Sequence, residues 1–187
     1  TAFIVDNMLQ AEFLTGEVKH TLLLGADYQR RKTVVDWDQG TLQPINAFNP
    51  VYGNSTINYY SHTSYLRRLE QTGVYLQDLV ELDKWRFSLG LRQDWVETSD
   101  ENRLAEAQRP LGTEISDKRT KLTGRAGALY LFDNGLAPYV SYSESFNPNS
   151  YADSAGNPLP PTDGTQWEVG LKYQPPGTDN LFTASLF

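Results

Sequence analysis

Apolar and polar side chains alternate along most of this chain, in segments of about seven to thirteen residues. Between residues 85 and 91, Trp85, Phe87, Leu89 and Leu91 occupy every second position, and polar or small residues lie between them. Successive side chains of a β-strand point to opposite faces, so this period predicts strands with one apolar and one polar face. About eight such segments occur, and none shows the apolar period of a capped helix.

The connections between these segments alternate strictly between short and long. The short turns comprise residues 15–18, 83–84, 133–135 and 175–180, and the long polar loops comprise residues 32–70, 99–117 and 146–163. Tight turns at one end of a sheet and long loops at the other are typical of outer-membrane β-barrels. We therefore predict an all-β, antiparallel up-and-down meander of about eight strands that belongs to such a barrel.

The composition is compatible with this fold although its mean hydropathy resembles that of a soluble protein. Hydrophobic residues make up 39% of the chain, and the mean hydropathy is −0.51. No stretch approaches the roughly 18 apolar residues of a spanning helix, but a spanning β-strand needs only about 10 residues, half of them polar. Aromatic residues near the turns mark a predicted girdle at the membrane interface: Tyr28, Trp85, Trp95, Tyr130, Phe132, Trp167 and Tyr173.

Strand direction predicts that the chain is an interior part of a larger barrel. The first strand runs into the short turn at residues 15–18, and the last strand leaves the one at residues 175–180. If short turns face the periplasm, both chain ends lie outside, whereas a complete barrel begins and ends on the periplasmic side. We therefore expect further strands before Thr1 and after Phe187. For the chain itself we expect an open sheet, or one completed by copies of the chain.

The residues that carry chemistry give little support for catalysis or for metal binding. The chain has no Cys, and its two His, His20 and His62, lie beside a turn and in a long loop, without further ligands at suitable spacing. We predict no catalytic residue, no metal site and no enzyme activity. The net charge of −7 argues against nucleic acid as a partner.

The long loop at residues 32–70 is the best candidate for ligand contact because it is rich in aromatic residues. Exposed rings are costly unless they pack or bind, and Tyr and Trp suit a small amphipathic ligand. We predict as ligand-binding residues Trp37, Phe48, Tyr52, Tyr59 and Tyr60. The alternative is that these rings pack against one another and order the loop. Tyr151 and the proline-rich run at residues 158–161 are interpreted as the stiff base of a later loop.

A basic run at residues 116–121 lies near the predicted outer rim of the sheet. Lys and Arg side chains there fit charge-assisted hydrogen bonds to the phosphates of lipopolysaccharide. The alternative for this run is a solvated strand end. Outer-membrane lipid and lipopolysaccharide are therefore expected partners.

Six segments resemble, in their order and spacing, the barrel domain of TonB-dependent ferric siderophore receptors. The ferrichrome-type subfamily, which takes hydroxamate siderophores, is the nearest likeness. The segments are TLLLGADY (21–28), FNPVY (48–52), QTGVYLQD (71–78), YLFDNG (130–135), PYVSYSESF (138–146) and QWEVGLKY (166–173). The resemblance covers residues 1–187 and implies a partial barrel domain, without the plug domain and the flanking strands.

The resemblance also implies a function and a location. It implies a barrel of about 22 strands, filled by a plug, in the outer membrane of a Gram-negative cell. Ferric siderophore would be taken up by energy delivered through the TonB complex, which contacts the plug. The siderophore carries the iron, so no cofactor of the protein is expected. Trp37 lies where the family has a ligand-facing aromatic residue.

The residues alone leave a second interpretation open. A soluble β-sandwich shows the same alternation of apolar and polar side chains. Its loop aromatics would stack on sugars, as in a carbohydrate-binding or adhesion module.

Overall fold

All regular structure in the described part of this chain is β-strand. The computed structural model describes residues 1–53, 56–104, 111–149, 151, 153 and 157–187. The strands are β1 (Ala2–Thr15), β2 (Val18–Thr41), β3 (Asn58–Leu82), β4 (Trp85–Asn102), β5 (Glu114–Tyr130), β6 (Leu136–Asn147), β7 (Thr162–Tyr173) and β8 (Phe182–Leu186). Helices are absent from these ranges, and none is therefore long and apolar enough to cross a membrane.

The strands form a single sheet, which confirms the predicted meander. All eight follow one another in sequence order, from β1 at one edge to β8 at the other. Each neighbouring pair is antiparallel. The open sheet expected from strand direction is thus observed in the described ranges. A β-sandwich needs two packed sheets, so this topology does not support the soluble alternative.

The predicted loop at residues 32–70 is wrong in its bounds. β2 continues to Thr41 and β3 begins at Asn58, so most of this region is a paired hairpin arm and the loop spans only residues 42–57. The arm lacks the apolar alternation because polar contacts join its strands: the Ser64 hydroxyl donates to an Asp36 carboxylate oxygen at 2.5 Å. The other two long connections lie between Asn102 and Glu114 and between Asn147 and Thr162, close to their predicted bounds.

The cross-strand register keeps one face of the sheet apolar. On this face Leu24 lies opposite Leu76, and Leu76 lies opposite Leu91. Further exposed apolar side chains on the same face are Val74, Leu89, Leu122, Val140, Trp167, Val169 and Leu171. A contiguous exposed apolar band of this size indicates that its natural surroundings are apolar.

Aromatic rings border the apolar band at both ends, where the sequence predicts a girdle. Near the short turns, the ring of Tyr130 lies 4.9 Å from that of Trp85 and 4.8 Å from that of Phe132, measured between ring centres. Towards the long loops, the rings of Tyr142 and Trp167 are 4.9 Å apart. Amphipathic rings at two levels are what a membrane-spanning sheet presents to the two interfaces.

Hydrogen bonds join the neighbouring short turns into one rim. Leu131 N donates to the Lys84 carbonyl oxygen at 2.8 Å, and Gln174 N donates to the Gly135 carbonyl oxygen at 2.9 Å. Lys84 Nζ donates to Asp133 Oδ2 at 2.6 Å, and this hydrogen bond raises the pKa of Lys84. The short-turn end is therefore tied together across hairpins.

Long side chains on the polar face lie flat across glycines of neighbouring strands. Tyr75 is in register with Gly25, where an added Cβ would meet the tyrosine ring at 2.1 Å. The Tyr75 hydroxyl then reaches β1 and donates to Asp6 at 3.0 Å. Tyr139 covers Gly170 in the same way, at 2.5 Å from an added Cβ. Only glycine leaves room for these rings, so each tyrosine–glycine pair keeps a large side chain flat against the sheet.

We expect Gly25→Ala to destabilise the intact protein by about 1–3 kcal/mol, because the new methyl group must displace the Tyr75 ring. Gly124→Ala is the matched control, since an added Cβ there meets its nearest neighbour at an ordinary 3.6 Å. That control should be neutral or slightly stabilising, since alanine restricts the unfolded chain. Thermal unfolding followed by β-sheet circular dichroism compares the two, and equal losses would refute the role of the Tyr75–Gly25 pair.

Candidate functional site

The five aromatic residues predicted to bind ligand all lie at the far end of the β2–β3 hairpin, residues 37–60, which we call the β2–β3 tip. Trp37 is on β2, and Tyr59 and Tyr60 are on β3, so the prediction that these three lie in a loop is wrong. Phe48 and Tyr52 do lie in the loop. The longer strands explain the difference, because they carry the hairpin well beyond its apolar part.

The β2–β3 tip exposes its rings to solvent. Their exposed fractions run from 61% for Trp37 to 100% for Phe48. In the described part of the chain no ring–ring contact joins the five residues. The loop is instead ordered by Asn46, whose side-chain oxygen accepts hydrogen bonds from Phe48 N and Asn49 N at 2.9 and 3.3 Å. The rings therefore remain available for contact with another molecule.

Strand alternation separates the roles of these residues. Counting by two along β2 from Asp27, which lies on the polar face, places Trp37 on that same face, in register with Thr63. Tyr60 sits at a bulge, because Tyr59 pairs with Gly40 and the next residue in register is Ser61. Trp37 thus lies on the polar face of the sheet. Beyond it, the bulge interrupts the regular pairing of β2 with β3.

The described residues Asn149 and Tyr151 of the β6–β7 loop lie against the polar face near the long-loop end. Thr98 Oγ1 donates to the Asn149 carbonyl oxygen at 3.3 Å, and the Arg67 guanidinium lies 4.2 Å from the centre of the Tyr151 ring. Neighbouring Leu69 is only 3% exposed. Most buried side chains of the described residues lie in this region, which we call the mouth cluster: Ser64, Leu66, Leu69, Val96, Thr98, Ser99, Asp100 and Asn102.

Arg67 lies among the residues of the mouth cluster, and the sequence analysis did not identify it as functional. It lies in register with Asp100, and its Nε donates to the Asp100 carboxylate at 2.8 Å. A buried carboxylate is stable only when it is paired and hydrogen-bonded, so Asp100 orients the guanidinium beneath the Tyr151 ring. The signal available in the sequence is alternation: counting by two from Gly73 puts Arg67 on the polar face and Arg68 on the opposite face.

Tyr151 agrees with its predicted structural role. Its backbone N donates to Asn149 Oδ1 at 3.0 Å, and its carbonyl oxygen accepts from Leu159 N at 2.9 Å. These bonds fix the base of the loop, while the ring stacks on Arg67.

A network of charged and amide side chains continues along the polar face below the mouth cluster. Arg92 donates from Nη1 and Nη2 to the two Asp27 carboxylate oxygens, at 2.6 and 3.0 Å, and from Nε to Asp94 at 2.9 Å. Gln71 donates to Asp94 at 2.7 Å, and Gln29 donates to Gln71 at 3.0 Å. The network joins β2, β3 and β4 and satisfies the buried Asp94 carboxylate.

The two histidines lie in separate pairs. His20 Nδ1 is 2.7 Å from Asp78 Oδ2 on the apolar face, with the Phe13 ring stacked at 4.9 Å. His62 pairs with Asp38 near the β2–β3 tip. Within the described ranges no three His, Cys, Asp or Glu side chains gather as a metal site. The arrangement offers surfaces for binding, and the expectation of no catalytic or metal role stays a prediction.

Comparisons with known proteins agree with this geometry. A family model described as "TonB dependent receptor-like, beta-barrel" matches residues 3–187. The ferrioxamine B receptor of Salmonella typhimurium (strain SL1344) is 46% identical over 189 residues, covering 100% of this chain and 26% of that receptor. The ferrichrome outer membrane transporter/phage receptor of Escherichia coli (strain K12) is 38% identical over 193 residues, covering 99% of this chain and 25% of that protein.

A solved structure shares the fold. The siderophore receptor PiuA from Acinetobacter baumannii superposes with a TM-score of 0.72 at 22% identity, covering 98% of this chain and 30% of that one. At this identity the likeness shows the fold alone. The chain spans about a quarter of the length of the curated relatives it matches. Because the family model matches nearly its whole length, the chain belongs to the TonB-dependent receptor-like β-barrel family.

Proposed function

We propose that this chain is part of the barrel of a Gram-negative outer-membrane receptor that imports ferric siderophores of the hydroxamate type. The observation that carries the proposal is the 46% identity to a ferrioxamine B receptor over 100% of the chain. The relative at 38% identity is named as a ferrichrome transporter. Both names specify an iron-loaded siderophore, which supports transport rather than catalysis.

The two faces of the sheet support a place in the outer membrane. The exposed apolar band, bordered by aromatic rings at both ends, fits a lipid bilayer. The short turns would then face the periplasm, and the β2–β3 tip and the mouth cluster would face the outside. The polar face lines the lumen, where flat-lying side chains such as Tyr75 leave space inside the wall.

A role for lipopolysaccharide rests on part of the basic run at residues 116–121. Alternation places Lys118 on the lipid side of the sheet, where its side chain is 74% exposed and its Nζ lies 3.0 Å from Glu97. Arg119 lies on the polar face and pairs with Asp117 instead. Lys118, with Arg30 and Lys32 on the same side, is therefore our choice for contact with lipid phosphates.

Energy for uptake would come through the TonB complex, acting on a plug segment outside residues 1–187. The iron would travel wrapped in its siderophore, so the barrel needs no metal ligands or cofactor of its own. Aromatic side chains at the mouth supply the contact, and Trp37 is the best placed of the five because it lies on the polar face. Phe48, Tyr52, Tyr59 and Tyr60 would reach the ligand from the β2–β3 tip.

Uptake of radioactive iron tests the proposal in cells. Deleting the gene for the full-length receptor should abolish accumulation of iron supplied as a ferric hydroxamate, and restoring the gene should recover it. A protonophore should block the restored uptake, because transport through TonB needs the proton-motive force. Undiminished hydroxamate-dependent uptake in the deletion strain would sink the proposal.

Trp37→Ala should weaken binding of a ferric hydroxamate to the purified full-length receptor by about tenfold, as for a buried aromatic contact. Val34→Ala is the matched control, because Val34 is similarly exposed on the opposite face of the same strand. Equilibrium titration gives both dissociation constants. If the two variants bind alike, Trp37 is not a ligand contact.

A further inference from the structure

A cavity lies on the polar face beside the mouth cluster. Its volume is about 580 Å³, and it is bounded by β2 and β3 on one side and by the base of the β6–β7 loop on the other. The polar residues that line it are Arg31, Thr33, Arg67, Arg68, Asn147, Asn149, Tyr151 and Thr162. No carboxylate occurs among its described lining residues, although the chain carries a net charge of −7.

Two guanidinium groups face this cavity. Arg31 lies opposite Leu69, and Thr33 lies opposite Arg67, so Arg31 and Arg67 are diagonal neighbours on one face of adjacent strands. Arg31 has no ion pair or side-chain hydrogen bond to any of the described residues. Like charges on diagonal neighbours repel each other, and an anion bound between them relieves that repulsion.

Contacts with Asp100 and Tyr151 fix the orientation of the Arg67 guanidinium. Asp100 binds it through Nε alone, at 2.8 Å, so within the described ranges both terminal nitrogens keep their donors free of protein acceptors. The Tyr151 ring packs on the guanidinium at 4.2 Å and fixes its plane. A guanidinium whose plane is fixed suits the two oxygens of a carboxylate, which it binds with paired hydrogen bonds.

We infer that this cavity is a subsite for a carboxylate carried on an arm of the transported iron complex. The inference rests on the proposed function. It adds that the receptor favours an iron complex that carries a negatively charged group. The cavity opens on the polar face, away from the side of Lys118, so a ligand entering the lumen reaches it and a lipid phosphate does not. Thr33 and the two asparagines supply neutral donors around the carboxylate.

A matched pair of iron complexes tests the inference on the full-length receptor. Ferric desferrioxamine B is prepared with its terminal amine capped by an acetyl group, which is neutral, or by a succinyl group, which ends in a carboxylate. We expect the receptor to bind the succinyl complex about tenfold more tightly, the gain of one charge-assisted contact. Arg67→Gln and Arg31→Gln should each remove most of this preference, measured as the ratio of the dissociation constants for the two complexes.

Arg68→Gln is the control for charge and position. Arg68 also borders the cavity, but its guanidinium is already bonded to Glu101 and Glu114, at 2.7 and 3.1 Å, on the other face of the sheet. That variant should keep the tenfold preference. Arg31→Gln removes no protein contact among the described residues, so it remains informative even if Arg67→Gln folds poorly.

Equal affinities of the receptor for the two complexes would overturn the inference, as would a preference that survives in Arg31→Gln. Failure to bind either complex would contradict the proposed hydroxamate function instead. The two failures are therefore distinguished by the acetyl complex, whose binding depends only on the proposed function.

Discussion

The packing of long side chains against glycines of the neighbouring strands is the constraint on which the rest of this sheet depends. Tyr75 lies directly opposite Gly25, Tyr139 opposite Gly170 and Arg125 opposite Gly90, each on the next strand. A shift of register by one residue would turn every side chain to the other face and remove these fits together. The same register keeps the apolar band on one face of the sheet and the charged network on the other.

This sheet reverses the distribution of apolar and charged side chains that is usual in a soluble domain. Its apolar side chains are largely exposed, and its buried groups include the charged Asp94 and Asp100, each held by an arginine. Burial is concentrated in the mouth cluster, where the β6–β7 loop covers the sheet through the Tyr151–Arg67 stack. Asn149 and Tyr151 of this loop thereby form one side of the cavity beside Arg31.

The strands can be predicted from the sequence more accurately than the contacts of the mouth cluster, and the reasons are physical. Alternation is local, so the meander and the shared face of Leu89 and Leu91 follow from a period of two. The β2–β3 arm, from Lys32 to Thr41, was missed because polar residues there occupy both faces, and its pairing depends on cross-strand contacts such as Ser64 with Asp36. The stack of Arg67 on Tyr151 joins positions far apart in the chain through a loop, and no local pattern encodes such docking. The identity of the ligand-binding residues stays a prediction.

Site-directed spin labelling of the reconstituted full-length receptor tests the central claim most directly, that one face meets lipid and the other lines the lumen. Residues 1–187 contain no cysteine, and in a receptor cleared of any cysteine elsewhere single cysteines are placed at Leu24, Leu76 and Leu91 on one face and at Gln29, Gln71 and Ser141 on the other. Labels on the apolar face should collide mainly with oxygen dissolved in the bilayer, and labels on the polar face mainly with a water-soluble nickel chelate. Equal access of the nickel chelate to both faces would contradict the account.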